Sequence, residues 1–254
     1  MFSQTKKQLI MYKKTGIAAL LLTSIVICNN SQAQGINGLI KKATGTAASA
    51  LGGGISKDEI ASGLKEALNK GVQKGTAQLS AVDGFLGNAA VKIWMPEEAV
   101  KVEKKLRDLG MGSQVDQAIT SMNRAAEDAA KSAAPIFVDA IKNMSIQDAV
   151  GILKGTDTAA TGYLRNNTSA KLTEAFRPVI EKSLDKVDAT KYWNGVFTTY
   201  NQIPFVKKVN TDLAAYVTEK ALAGIFVQVA AEEKNIRGNA AARTTDLLKK
   251  VFGN

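Results

Sequence analysis

The stretch "ALAGIFVQVAA", Ala221 to Ala231, decides the fold class of this chain. It is apolar on nearly every face of a helix, which is typical of a helix buried at the centre of a protein. Helical spacing continues on both sides and predicts one long helix from Thr211 to Arg237, ended by Gly238. Because eleven such residues with a glutamine among them are too few to cross a bilayer, the stretch predicts a core helix rather than a membrane span.

The chain after Ser56 keeps this helical periodicity. Only four prolines occur in 254 residues, and Ala, Leu, Lys and Glu are abundant, which favours helix. Separate helices are predicted at 157–166, 169–187 and 240–252, among others. We therefore predict an all-α fold over residues 57–254: a single multi-helix bundle of about nine helices, with no substantial sheet and the long helix buried in its second half.

Small residues line one face of the first predicted helix, which Ser56 or Asp58 can cap. They follow a helical spacing and are Gly63, Ala67, Gly71 and Gly75. Each glycine costs a helix up to about 1 kcal/mol relative to alanine, so the stripe needs an explanation. Either another helix packs very closely against this face, or the helix is a marginal one with no special partner.

A loop is predicted after this helix, in the stretch "DGFLGNAAVKIWMP" at 83–96. Val91, Ile93 and Met95 alternate within it, which indicates a short extended piece. Pro96 is suited to the first position of the next helix.

The first 33 residues have the three-part layout of a secretory signal peptide. Lys13 and Lys14 precede the apolar run Thr15–Cys28, and a polar, small-residue stretch then leads to a cleavage position after Ala33. The apolar run is shorter than the roughly 20 residues that a permanent membrane span needs. We therefore expect an exported protein, with the periplasm as its compartment, and not an integral membrane protein.

The boundaries of this leader region carry three further expectations. Met11 is a more usual start for such a signal than Met1, and residues 34–56 are predicted to be a flexible segment rich in Gly, Ala, Ser and Thr. Cys28 follows Ile27, where a lipoprotein would carry a small residue, so lipidation is not expected.

Loss of the signal peptide would leave a chain with no cysteine and no histidine. The net charge would fall from +10 to +6, because residues 1–33 contain four lysines and no acid, which leaves 29 basic and 23 acidic residues. Without histidine or cysteine there can be no serine–histidine triad, no cysteine nucleophile and no imidazole or thiolate zinc site. Calcium-loop and phosphate-loop motifs are absent as well, so neither a metal nor a cofactor is predicted.

Two routes to catalysis survive this elimination: a pair of carboxylates, as in glycosidases, or a Ser-Lys arrangement. The acids that deserve inspection are Glu127, Glu232, Glu233 and Asp246. Such residues on helices are more often solvated or ion-paired, so no catalytic residue is assigned. Nucleic acid is not an expected partner, because the basic residues form scattered pairs rather than one patch with interleaved aromatics.

The stretch "SMNRAAEDAA", 121–130, places three polar residues beside an apolar stripe. Asn123 lies at the edge of the stripe, Glu127 lies further round the helix, and Arg124 lies on the opposite side. Arg124 can pair on the surface with Glu127, three residues on, or with Asp128, four residues on. Alternatively it can be buried by a neighbouring helix, and it then requires a carboxylate or carbonyl partner.

Arginine is the rarer cation in this chain, and its planar guanidinium is suited to bidentate pairing. We therefore predict an interior cluster of arginines and acids. Its members are Asn123, Arg124, Glu127, Arg165, Glu232, Arg243 and Asp246. The cluster fits either a structural ion-pair network or a pocket for an anionic ligand, and the structural network is favoured.

Seven stretches between about Ser56 and Gly253 form a specific pattern, in this order: "GLKEALNKGVQKG", "DGFLGNAAVKIWMPE", "VEKKLRDLGMG", "SMNRAAEDAAKSAAPIFVDAIKNMSIQDA", "DTAATGYLRNNTSAKL", "YVTEKALAGIFVQVAAEEKNIRGN" and "AARTTDLLKKVF". They resemble the bacterial domain of unknown function 4197 family. The resemblance implies an exported, all-helical envelope protein of Gram-negative type, and the family offers no catalytic residues to transfer. Members often look lipidated or simply secreted, and Ile27 departs from the lipidated form.

These observations predict an exported cell-envelope protein that binds or scaffolds and is not an enzyme. One alternative is a carboxylate-based hydrolase of envelope glycans, which needs two acids facing each other across a cleft. The other is a carrier of a lipid or a small anionic ligand, which needs an apolar cavity. The partners expected under these hypotheses are envelope proteins, anionic lipid or a small anionic ligand.

Overall fold

The computed structural model describes residues 55–202, 204–205 and 207–253. The predicted signal peptide and almost all of the predicted flexible segment lie outside the described residues. Within the described ranges there are helices and no strands, so the prediction of an all-α fold is confirmed and the expected number of helices is about right.

The helices alternate with short connections. In chain order they are α1 (Lys57–Ser80), α2 (Val100–Asp108), α3 (Gly112–Ala130), α4 (Ala133–Lys142), α5 (Ile146–Leu153), α6 (Ala159–Asp185), α7 (Ala189–Tyr200), α8 (Leu213–Gly238) and α9 (Asp246–Phe252). Two single turns of 3-10 helix, Glu97–Ala99 and Ala240–Ala242, precede α2 and α9.

Local capping explains where several of these helices begin. The Ser56 hydroxyl accepts a hydrogen bond from the Glu59 N–H, and the Glu59 carboxylate accepts one from the Ser56 N–H. Ser145 and Asp148 form the same reciprocal pair at the start of α5. Each pair satisfies two backbone donors that the first turn of a helix leaves without partners.

Helix α8 is the long helix predicted from "ALAGIFVQVAA", and it packs against α1, α3 and α6. Its buried residues cover a broad arc of the helix, and the remaining face, with Lys220, Ala223 and Val227, is exposed. By length and composition alone it is also the helix, among the described residues, that could cross a membrane, and 56% of that window is buried inside the fold. A core helix of a soluble protein has the same properties.

The small-residue stripe of α1 lies against α8 and α9. A Cβ atom added at Gly63 would lie 2.6 Å from Val251 Cγ2, and one at Gly75 would lie 3.2 Å from Gln228 Cγ. A Cβ atom added at Gly71 would lie 3.6 Å from the Cβ of Glu232. The first alternative is therefore confirmed: the glycines allow two helices to approach closely.

Helix α6 corrects two predicted boundaries. Residues 157–166 and 169–187 are not separate helices but parts of one helix, which also contains Pro178. The polar run that suggested a break is helical: its hydroxyls donate to carbonyls four residues earlier, as in Thr168 to Leu164 and Ser169 to Arg165, and its inner face, with Thr168, is buried against other helices. The predicted helix 240–252 is corrected in the opposite sense. It is divided into the 3-10 turn Ala240–Ala242 and the helix α9, which Thr245 caps.

We expect opposite stability effects when two glycines inside helices are replaced by alanine. Gly224→Ala in α8 would place a Cβ 2.7 Å from Phe85 Cε1 and 3.2 Å from Val91 Cβ, both in the core, so overpacking should lower the free energy of unfolding by about 1–3 kcal/mol. Gly162→Ala in α6 meets nothing within 4 Å, so better helix propensity should raise it by up to about 1 kcal/mol. Urea denaturation of both variants measures the difference, and equal stability would contradict the tight contact at Gly224.

Candidate functional site

Asn123 holds the extended segment that follows the predicted loop. Its Oδ1 accepts a hydrogen bond from the Ile93 N–H at 2.8 Å, and its Nδ2 donates to the Ile93 carbonyl at 2.8 Å and to the Ile119 carbonyl at 2.7 Å. The side-chain amide therefore pairs with Ile93 as the backbone of a neighbouring strand would. Asn123 is completely buried and both its amide hydrogens are used, so its role is to satisfy backbone.

The segment predicted to be extended is held by this contact with Asn123. Val91, Ile93 and Met95 are buried, as their alternation indicated, but the segment is not a strand because its hydrogen-bonding partner is a side chain. At its outer end the Tyr216 hydroxyl donates to the Trp94 carbonyl at 2.8 Å. Burial raises the pKa of Tyr216 to about 12, which keeps the hydroxyl protonated as a donor.

Glu127, one turn further along α3, holds the turn that precedes this segment. Its Oε1 accepts hydrogen bonds from the N–H groups of Phe85 and Leu86, at 3.1 and 3.2 Å. Its Oε2 accepts from Arg124 at 2.7 Å, and only 5% of the side chain is exposed. Both carboxylate oxygens are therefore committed to the fold.

Arg124 lies at the edge of the fold, with 39% of its side chain exposed. Besides Glu127 it contacts Asp83 Oδ1 at 2.8 Å, and Asp83 is in the left-handed region with φ 66°. The hydrogen bond to Glu127, more than the one to Asp83, raises the pKa of the guanidinium. Asn123, Arg124 and Glu127 together form what we call the loop latch, since all three bind or support residues 83–93.

A second group, which we call the helix-junction latch, consists of Glu233 and Arg237 on α8. Glu233 accepts from the N–H groups of Ala160 and Thr161 and from the Thr161 hydroxyl, at 2.8–3.0 Å. These donors belong to the first turn of α6, whose own cap residue makes no side-chain hydrogen bond. A buried carboxylate thus caps a helix from outside, where the helix dipole also favours negative charge.

Arg237 completes this junction at the neighbouring helix end. It donates to Glu233 Oε1 at 3.0 Å and to the carbonyls of Ile152 and Leu153, at 2.8 and 3.2 Å, which end α5. From the sequence, Glu233 was only a candidate acid for catalysis, and its pairing with Arg237 was missed. Their four-residue spacing within a buried helix was the signal that could have identified them.

The remaining predicted residues have separate partners. Glu232 pairs with Lys74 of α1 at 2.9 Å, and Arg243 donates to the carbonyls of Ile236 and Arg237 at the end of α8. Asp246 lies in the first turn of α9 with its side chain fully exposed. The expectation of one shared cluster is therefore corrected: apart from the loop latch, the structure does not bring these residues together, because Glu232 and Arg243 have other partners and Asp246 is exposed.

Arg165 lies on the surface of α6, where its Cζ is 4.7 Å from the centre of the Phe226 ring. It lines a groove of about 440 Å³ between α6 and α8. The α6 side of this groove consists of Arg165, Ser169, Thr173 and Arg177. In the described part of the chain, no group of three or more Asp, Glu, His or Cys side chains is placed to hold a metal ion.

Comparison with known proteins gives one match. The family model described as "Protein of unknown function (DUF4197)" matches residues 54–253, which include every helix of the fold. No curated protein and no solved structure matches the chain.

Replacing Asn123 tests the loop latch. Asn123→Ala removes the partner of the Ile93 N–H and C=O inside the core, so the free energy of unfolding should fall by about 2–4 kcal/mol. Ser121→Ala, on the same helix, removes a hydroxyl that bonds only to its own Gln117 carbonyl and should change stability by less than about 0.5 kcal/mol. Chemical denaturation compares the two, and a small effect of Asn123→Ala would mean that water replaces the amide.

The helix-junction latch is tested against a surface pair of the same spacing. Glu233→Ala leaves Arg237 and two helix-end donors without their buried acceptor, and we expect a loss of about 3–5 kcal/mol. Glu181→Ala breaks the exposed pair with Arg177 and should cost at most about 1 kcal/mol. Thermal unfolding followed by circular dichroism measures both. Similar losses in the two variants would show that burial adds nothing to the Glu233 contact.

Proposed function

We propose that this chain, which belongs to the family of proteins of unknown function DUF4197, is an exported binding or scaffold protein of the cell envelope and not an enzyme. The observation that carries the proposal is the commitment of the interior carboxylates. Among the acids considered for catalysis, Glu127 and Glu233 are buried. In each of them both carboxylate oxygens accept hydrogen bonds from backbone N–H groups or a guanidinium.

A hydrolase that uses carboxylates would need two acids whose oxygens are free to contact the substrate. One acid must give a proton to the leaving group and the other must face the substrate, with about 5–10 Å between the two across a cleft. Glu127 and Glu233 instead point their oxygens at the turn and the helix ends that they hold, and not into a cleft that could receive a substrate. Glu232, the next residue to Glu233, is bound to Lys74. The alternative of a glycan hydrolase therefore loses its best candidate residues.

Export is supported by the pattern of the first 33 residues. Two lysines, an apolar run and a small-residue cleavage position occur there in the order that the secretory machinery recognises. After cleavage the chain would have a net charge of +6 and no cysteine to oxidise. A mildly basic surface favours acidic components of the envelope as partners.

The experiment follows the protein from the cell to an activity assay. We expect cell fractionation to recover the chain from the periplasm with Gln34 as its first residue, and Ala33→Trp, which removes the small residue before the cut, to block this cleavage. The purified mature protein should release no soluble fragments from isolated peptidoglycan.

A control substitution separates processing from export in general. Ala47→Trp, beyond the predicted cleavage position, should leave cleavage unchanged. Cytoplasmic retention of the wild-type chain would overturn the export proposal. Release of glycan fragments by the purified wild-type chain would overturn the non-enzymatic one.

A further inference from the structure

The groove between α6 and α8 follows one face of α6. Arg165, Ser169, Thr173 and Arg177 repeat at every fourth residue, so they stay on the same side of the helix and span about 18 Å along it. The opposite wall is formed by α8, with Leu222, Ala223 and Phe226 near the Arg165 end. At about 440 Å³, the groove is within the range that small organic ligands occupy.

Arg165 differs from the other five arginines of the chain in its partners. Four of them, Arg107, Arg124, Arg177 and Arg237, form salt bridges with carboxylates, and Arg243 donates to two carbonyls. Among the described residues, Arg165 has the ring of Phe226 as its contact and no carboxylate within salt-bridge distance. Its donors are therefore left for solvent or for a ligand.

The contact with Phe226 places the guanidinium over an aromatic ring at this end of the groove. Phe226 is 2% exposed and meets the ring of Phe137 edge to face, with the ring centres 5.8 Å apart. A ring held in the core in this way is a rigid base for the guanidinium, whose Cζ is 4.7 Å from the ring centre. A guanidinium in this position is held by its contact with the ring and keeps its N–H donors for other partners.

The charge of the groove favours an anion at this end only. At the other end Arg177 is bound by Asp212 at 2.7 Å and by Glu181 at 2.8 Å, so its charge is compensated. Glu219, the acid that lines the groove, is seven residues from Phe226 and so about 10 Å along α8. The groove thus offers a cation beside an apolar surface and an acid further away.

We propose that the Arg165 end of this groove binds the anionic group of a small amphipathic molecule, a phosphate or carboxylate whose apolar body lies over Leu222, Ala223 and Phe226. The inference rests on the proposed function, since it gives a binding protein its site and its ligand chemistry. A bidentate contact with the unpaired guanidinium supplies orientation, and burial of the apolar body supplies the rest of the affinity.

Octyl phosphate, used below its micelle concentration, is a probe with both properties. Isothermal titration of the full chain, as the cell produces it, should show binding at least about tenfold tighter than that of inorganic phosphate or octanol. Arg165→Gln should weaken octyl phosphate binding about tenfold, because it removes the charge-assisted contact. The exposed position of Arg165 predicts an unchanged melting temperature.

Arg177→Gln is the matched control, since it removes the same charge from the same face of α6. Because Asp212 and Glu181 already compensate Arg177, this variant should bind octyl phosphate within about twofold of wild type. Equal weakening in both variants would reduce the effect to general electrostatics and overturn the site. Unchanged binding in Arg165→Gln, or no preference over inorganic phosphate, would overturn it as well.

Sedimentation with vesicles of phosphatidylglycerol distinguishes two sources of the anion. Association that is lost in Arg165→Gln would identify a lipid headgroup, and octyl phosphate binding without vesicle association would identify a soluble molecule; both support the site. Failure of the site is distinguishable from failure of the proposed function. A periplasmic chain that leaves peptidoglycan intact but ignores octyl phosphate keeps the proposed function and loses only this inference.

Discussion

The burial of α8 at the centre of the bundle is the constraint on which the other contacts depend. A helix covered by α1, α3 and α6 forces the ends of its neighbours, and the loop that crosses it at Gly224, into the interior. Backbone N–H and C=O groups there have no access to bulk water, and each one left without a partner costs free energy comparable to a lost hydrogen bond. The chain meets this requirement with side chains rather than with a sheet.

Two latches solve the same problem with the same chemistry. In the loop latch, Glu127 accepts from two backbone N–H groups of a distant turn while Arg124, three residues earlier, balances its charge. In the helix-junction latch, Glu233 accepts from two N–H groups of α6 while Arg237, four residues later, does the same. Because desolvation offsets much of the attraction between buried charges, the pairs contribute chiefly by directing specific backbone contacts.

Sequence patterns predicted the local part of this structure and missed the long-range part. The bounds of α8 and the caps Ser56 and Ser145 follow from periodicity and from side chains within one turn, so they were predictable to within about two residues. The run around Thr168 was misread as a break because hydroxyls serve turns and helix interiors alike, and burial against other helices decides between them.

The site shows the same division. Asn123 and Glu127 could be selected as polar residues beside an apolar stripe, whereas their partners Ile93 and Phe85 lie about 30 and 42 positions away, and only the path of the chain brings them together. The pattern along the helix therefore indicates which side chains need partners, but it does not indicate which residues those partners are.

The partners of the six arginines indicate which surface could bind a ligand. The fold commits its buried acids and five of its six arginines to its own backbone and carboxylates. Arg165 is the exception, and its guanidinium lies over a core ring. A contact with an aromatic ring offsets part of the conformational entropy that ordering a long cationic side chain costs, so Arg165 would lose less of it on binding an anion. The demands of the buried helix thus account for the latches, and Arg165 is the arginine that those demands do not explain.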